Sequence, residues 1–269
     1  MNSNGSLLRG KRTVIFGAGG SIGAAVAKEF ANEGADVYLS GHSKGNVQAT
    51  AQDIAANNGD AHVAVVDVAN PAAVEAYIEA IAQDAGGIDV VFNAAGPLPE
   101  TYGNGKLAVD STVEEFSLAL DHVVKWQYIT ARAAARQMTK QRSGVILFQT
   151  GSPARGHVSG GTAIGAAFGA IESMAENLAF EISPMGVRVL CLRTTANADT
   201  AVIQRTAEIV AGMQGTTKDQ VLGFLASLNF LKTNMGVADT AHALAFLSSD
   251  RARMFTGTVV NSSAGAALD

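Results

Sequence analysis

The chain has 269 residues, 48% of them hydrophobic and 16% charged, and a formal net charge of −5. That length and apolar content support one large buried core and exclude a disordered chain. The negative balance, with no basic stripe or arginine cluster, excludes nucleic acid and an anionic membrane surface as expected partners.

The first predicted strand is Val14-Ile-Phe16, followed at once by Gly17, Gly19, Gly20 and Gly23 in Gly17-Ala-Gly-Gly-Ser-Ile-Gly23. A helix follows over Ala24–Phe30 and ends near Gly34. Strand, glycine turn and helix together form a context suited to a phosphate. Glycine allows close backbone approach, and the helix start presents unpaired N–H groups and a partial positive charge. Asp36–Ser40 is the second strand, Asn46–Ala56 a helix, and Ala61–Val66 the third strand. Pro71 opens a helix to Asp84. Ile88–Phe92 is the fourth strand and runs into Asn93-Ala-Ala-Gly96. Residues 97–110 read as a loop. Ser111 with Glu114 reads as a capping box for a helix reaching Met138.

Val145–Phe148 is the fifth strand, Pro153–Gly161 a loop, and Ile164–Ile182 a long alanine-rich helix. Val187–Leu192 is the sixth strand and holds the single cysteine, Cys191, which reads as packing. Residues 194–234 form a variable region with helices over Ala201–Met213 and Lys218–Ser227, an expected apolar cover. A helix over Ala238–Leu247 and a strand over Thr258–Val260 close the chain. No stretch reaches transmembrane length. Met1–Gly10 is polar and lacks a signal-peptide core, so a cytoplasmic address and a flexible segment 1–10 are expected.

This alternation predicts an α/β fold: a Rossmann-like, doubly wound parallel sheet in three α/β/α layers, one domain over residues 1–269. Ligands of such sheets bind at the carboxyl ends of the strands. The glycine turn, Asp67, Asn93–Gly96, Thr150–Ser152 and Thr194–Thr200 should therefore share one edge.

Several landmarks in order resemble the short-chain dehydrogenase/reductase family over nearly the full length. Residues 17–23 resemble its TGxxxGxG turn, and Asp67-Val68 its adenine-contacting acidic position. Asn93-Ala-Ala-Gly96 is similar to the NNAG motif, and Gly186-Val-Arg-Val189 to the strand after the long helix. Ser248-Ser-Asp250 with Phe255-Thr-Gly257 resembles its ending. The resemblance implies dinucleotide binding through Gly17, Gly19, Gly20, Ser21, Ile22, Gly23, Asp67, Val68, Asn93, Ala94 and Gly96. Asn93 also has a purely structural reading, tying strands together. The family holds the ribose diol with an acid after the second strand. Here the stretch is Ser40-Gly-His-Ser-Lys44, and His42 with Lys44 points to the 2′-phosphate of NADP(H) rather than NAD(H).

The catalytic signature departs from the family. Its YxxxK pair aligns with Ile164 and Phe168, its carbonyl-polarising serine with Gly151, and its helix asparagine with His122. Ile164 cannot exchange a proton, and Phe168 cannot stabilise a phenolate near pKa ~10 or grip a ribose. Ser152 and His157 are the candidate catalytic residues. Ser152 follows the aligned serine position by one place and also reads as a loop cap. His157 titrates near neutrality and also reads as a solvated loop residue. Tyr102 and Tyr128 could supply a phenol or simply pack. No histidine pair has zinc-helix spacing and no CxxC occurs, so no metal is expected.

The first functional reading is an NAD(P)(H)-dependent oxidoreductase with a non-standard catalytic site, acting on a small carbonyl or alcohol-type molecule. A second is a non-catalytic NAD(P)-binding or subunit-partner protein. A third is a lyase or isomerase on the same fold. The resemblance also implies a homo-oligomer, a dimer or tetramer.

Overall fold

The computed structural model describes residues 6–156 and 158–269. Strands β1 (Arg12–Phe16), β2 (Asp36–Gly41), β3 (Ala61–Val65), β4 (Val90–Asn93), β5 (Gly144–Gly151), β6 (Val187–Thr194) and β7 (Thr258–Ser262) form one sheet. Their order is β3-β2-β1-β4-β5-β6-β7, and every neighbouring pair is parallel. Parallel pairing needs a crossover between strands, and the helices supply it. The expected doubly wound α/β fold is the observed one. All strands therefore end along one edge, and strand order reverses between β1 and β4.

Side-chain alternation along each strand feeds two cores. Val14, Phe16, Ile146, Phe148, Val189 and Cys191 face one layer. Ile15, Leu147, Leu190 and Leu192 face the other. The first layer holds α3 (Pro71–Ala85), α5 (Lys125–Gln141) and α6 (Thr162–Ile182). The second holds α1 (Ser21–Asn32), α2 (Lys44–Ala56) and α9 (Val237–Ser248). Within the segment expected to be flexible, Leu8 is fully buried in the second core.

The helix after β4 differs from the sequence reading at its start. The N-cap is Thr112, not Ser111, and it opens α4 (Val113–Leu118). Thr112 Oγ1 accepts from Glu115 N at 3.1 Å, and Glu115 Oε2 accepts from Thr112 N at 3.0 Å. The Ser111 hydroxyl instead donates to the Leu107 carbonyl. A π-helical turn, Ala119–Val124, joins α4 to α5. After β6, α7 (Ala201–Gln214) and α8 (Lys218–Ser227) form the cover, capped by Thr200 and Thr217.

Candidate functional site

The glycine turn leaves β1 and enters α1 under Ala94 and Ala95. Gly17 has φ +72°, and a Cβ on it would meet Ala95 N at 2.5 Å. A Cβ on Gly23 would meet Gly17 O at 2.3 Å, and one on Gly19 would meet the Asn46 Cβ at 2.7 Å. These three glycines are thus required by the protein's own packing. Gly20 differs: a Cβ there would meet only Gly17 O, at 3.4 Å. Gly96 has nothing within 4 Å of its Cβ position. Gly20 is also the N-cap of α1 and provides no side-chain cap, so the first-turn N–H groups of Ser21 and Ile22 are left to an outside acceptor. A dinucleotide's diphosphate fits this half of the edge.

At the end of β2, His42 and Lys44 are exposed. A Cβ on Gly41 would lie 2.9 Å from Val47 Cγ2, so a side chain at this position would press on the Val47 side chain of α2. Asp67 is exposed and its carboxylate accepts from Ala69 N at 2.9 Å, while Val68 is buried. Asn93 is buried and fully engaged. Its amide donates to Trp126 O and Thr130 Oγ1, and its Oδ1 accepts from Ala95 N at 2.8 Å. Its side chain holds β4 to α5 and shapes the turn through Ala94 and Gly96.

The far half of the edge is apolar. Ile164, at the start of α6, shares a buried cluster with Tyr102, Ala119 and Ala167, and Phe168 packs against it. The Phe168 ring covers Gly151: a Cβ there would meet Phe168 Cε2 at 3.0 Å. Positions 151 and 168 are therefore sterically coupled in this chain. Glycine at 151 makes room for the ring at 168. Here the ribose of a nicotinamide would find no cation, and its polar contacts would come from backbone and hydroxyl groups.

Ser152 is half-buried and opens a 3-10 turn, Ser152–Ala154. Its carbonyl accepts from Gly156 N at 2.6 Å, and among the described residues its hydroxyl makes no hydrogen bond. His157 lies outside the described residues. Thr150, at the same strand end, is buried and donates to Glu172 Oε1 at 2.9 Å. Gln149 donates to Thr194 Oγ1 at 3.4 Å. Of these three, Ser152 alone makes no side-chain hydrogen bond among the described residues. His122 lies in the π-helical turn and stacks on Trp126 with ring centroids 5.0 Å apart. Its Nδ1 is buried without a partner among the described residues.

Below this edge lies a charge pair that sequence reasoning missed. Arg193, 1% exposed, donates to both carboxylate oxygens of Glu172, at 2.8 and 2.9 Å, and also binds Asp269. Charge assistance from Glu172 raises the guanidinium pKa further above its ordinary value. A signal was present: Arg193 directly follows the apolar run Val189–Leu192, and Glu172 the uncharged run Ile164–Ile171. Cys191 packs beside them, and burial pushes its thiol up to about 12.

The roof is tied down at several points. The α7 start docks on the glycine turn, with Ala201 N donating to Ser21 Oγ at 3.3 Å. Arg205 pairs with Glu100 at 2.7 Å, and Asn104 donates to Thr206 at 3.1 Å. Gly105 N donates to Gly160 O at 3.0 Å. The remaining apolar side chains of the cover, Phe224, Phe230 and Leu231, are exposed. An open groove of about 510 Å³ lies between the loop after β5 and the first turns of α6. Among the described residues, no three metal-ligating side chains cluster and no helix is long and apolar enough to cross a membrane.

The family described as Enoyl-(Acyl carrier protein) reductase matches residues 17–267. An uncharacterized oxidoreductase of Staphylococcus aureus (strain N315) is 29% identical over 73% of this chain and 82% of its own length. Versicolorin reductase 1 of Aspergillus parasiticus is 26% identical over 98% of this chain and 99% of that protein. Among solved structures, an NAD+-bound xylitol dehydrogenase has a TM-score of 0.88 at 24% identity, covering 96% of this chain and 99% of that one. The sorbitol-6-phosphate 2-dehydrogenase of Erwinia amylovora has a TM-score of 0.87 at 21% identity, covering 96% and 100%. These two structures share the fold.

Proposed function

The chain belongs to the short-chain dehydrogenase/reductase family, and from that premise we propose an NADP(H)-dependent oxidoreductase with a non-standard catalytic site, acting on a small carbonyl or alcohol. The open diphosphate cradle at Gly20 and Gly96, against the uncapped start of α1, carries the reading. When bound, the nicotinamide supplies or accepts a hydride. The chain's own part is to hold, orient and protonate. Gly17, Gly19, Gly20, Ser21, Ile22 and Gly23 form the diphosphate turn, and Ser21 and Ile22 present its N–H groups. His42 and Lys44 meet the 2′-phosphate, since the β2 end carries no acid. Asp67 and Val68 border the adenine, and Asn93 fixes the backbone of Ala94 and Gly96 beside the ribose. Ser152 donates its unengaged hydroxyl to the substrate oxygen, and His157 is the second candidate by its place in the same loop.

Titration with NADPH and NADH, followed by nicotinamide fluorescence and calorimetry, tests this reading. The expected result is a micromolar Kd for NADPH, about −8 kcal/mol, weakened by His42→Ala and Lys44→Ala. Absence of binding to either nucleotide at millimolar concentration overturns it. A second reading, a nucleotide-binding protein without turnover, draws support from the apolar contacts of Ile164 and Phe168. It predicts NADPH binding with no oxidation by any member of a carbonyl and enone panel.

A further inference from the structure

Two arginines act on the Asp269 carboxylate where β5 and β6 end. Arg193, on β6, is 1% exposed and gives its Nε and Nη2 to Glu172, at 2.8 and 2.9 Å. That bidentate contact uses one edge of the planar guanidinium, and the remaining nitrogen, Nη1, donates to Asp269. Arg155 lies just past β5, and its backbone N–H donates to the Ser152 carbonyl at 3.1 Å. Its side chain is 58% exposed, stands 3.6 Å from Glu172 and makes no hydrogen bond among the described residues. Arg193 first, and Arg155 after it, hold the Asp269 carboxyl below its ordinary value, so both cations are felt there. The carboxylate in this place is lightly held. Asp269 is 58% exposed and Leu268 68%. Besides Arg193, its contact is Asn261 Nδ2, donating at 3.3 Å. The firm anchor is buried Ala267, tied to Asn261 and Ser263, so only residues 268 and 269 need swing away to open Arg193 Nη1. Without Asp269, two guanidiniums would face Glu172 alone, leaving one uncompensated positive charge beside a buried group. A single negative charge restores the balance, and a carboxylate can repeat the bond that Asp269 makes.

We propose that Arg193 and Arg155 form a binding site for a small carboxylic acid, and that Asp269 is its resident occupant, displaced when the acid binds. The incoming carboxylate accepts from Arg193 Nη1, and Arg155 adds its charge from the surface side. Glu172 stays in place, since its side chain is 2% exposed and also accepts from Thr150. It fixes the guanidinium plane and so the direction of Nη1. The charge balance selects a monoanion, because a phosphate dianion would leave the site with excess negative charge. In the strand order, β5 and β6 stand two and three places from β1 and its glycine turn. The site is therefore separate from the diphosphate turn and does not depend on the nicotinamide reading.

The test uses the full chain without nucleotide and propanoate as the probe, which matches the aspartate side chain from Cα outward. Binding is followed near neutral pH through the arginine Nε–Hε resonances of nitrogen-15-labelled protein, with sodium chloride keeping the ionic strength constant. Propanamide, the uncharged isostere, and inorganic phosphate are titrated alongside. The expected result is a saturable shift in the wild type with an apparent Kd of about 10–50 mM, tightened at least ~5-fold in Asp269→Ala, because the resident carboxylate lowers the competent fraction. Adding Arg155→Ala to Asp269→Ala should weaken binding at least ~3-fold. Propanamide should give no shift, and phosphate should bind more weakly than propanoate. No saturable shift in the wild type by about 200 mM, or the same shift with propanamide, overturns the site without recourse to any variant. An unchanged Kd in Asp269→Ala overturns the displacement, and an unchanged Kd on adding Arg155→Ala removes that arginine from the site. Phosphate binding as tightly as propanoate overturns the choice of a carboxylate. Cooperative thermal melts of the variants show that a lost signal is not lost folding. With no nucleotide present, failure here leaves the nicotinamide reading standing.

Discussion

Gly151 and Phe168 are matched in size. A side chain at 151 would press on the Phe168 ring at 3.0 Å, while the ring packs against the cluster at the start of α6. Gly151→Ser should destabilise by ~1–3 kcal/mol through overpacking. In a Phe168→Ala background the same change should cost at least ~1 kcal/mol less, because contacting residues couple. Urea unfolding of the four chains measures this cycle, and additive effects would refute the steric link. At Gly17, positive φ and the 2.5 Å approach to Ala95 N coincide. Gly17→Ala should cost more than ~2 kcal/mol, since backbone strain adds to a clash with backbone atoms that cannot rotate away. The corresponding Gly20→Ala should be nearly neutral for folding and weaken NADPH binding, and melts paired with titrations separate the two effects.

Among the elements, the helix after β4 shows how a one-residue offset is decided. Ser111 and Thr112 are both capping residues, each followed three places later by a glutamate. The reciprocal bonds form at Thr112 and Glu115, because the Ser111 hydroxyl is turned back to Leu107 O. Thr112→Ala should cost about 1 kcal/mol, whereas Ser111→Ala should fall within the error of a denaturation curve. Equal losses would show that the cap is shared. The same helix carries the π-helical turn at Ala119–Val124, a local widening common near functional sites. It brings His122 to its stack on Trp126 and leaves Nδ1 without a partner among the described residues. Periodicity alone does not reveal such a turn, since one extra residue in a helix leaves the apolar pattern nearly unchanged.

For the whole molecule, the charge pair under the site joins β5, β6, α6 and the chain end. Glu172 and Arg193 are both almost completely buried and satisfy each other with two hydrogen bonds. Glu172→Gln leaves the buried guanidinium with only the exposed Asp269 as counter-charge and should destabilise by ~3–5 kcal/mol. Asp269 is the exposed arm of this network, and Arg193 holds its carboxyl below the ordinary value of 3.8. A depressed folded-state pKa adds stability that is present above the unfolded value and fades as pH falls through the folded one. The Tm of Asp269→Asn should therefore lie below that of wild type at pH 7, and the gap should close below about pH 4. A gap independent of pH would show that the contact is steric. The outer surface bears on assembly: Phe180 and Met254 are 87% and 82% exposed, on segments joined by the Ser183–Thr256 hydrogen bond. If this patch pairs subunits, light scattering will give a dimer or tetramer, and Phe180→Asp will shift it toward monomer.

Sequence by itself determined the strand–helix alternation, the glycine turn and the parallel sheet. These rest on short-range periodicity and on glycine's conformational freedom, which are legible residue by residue. Only the tertiary structure decided which groups near the strand ends are free. Thr150 is taken by Glu172, Asn93 by Trp126, Thr130 and Ala95, and Ser152 keeps its hydroxyl. It likewise brought Tyr102 into the Ile164 cluster across more than sixty positions of chain. Such pairings depend on where loops cross over a sheet edge, and that is set by packing in three dimensions rather than by any local pattern.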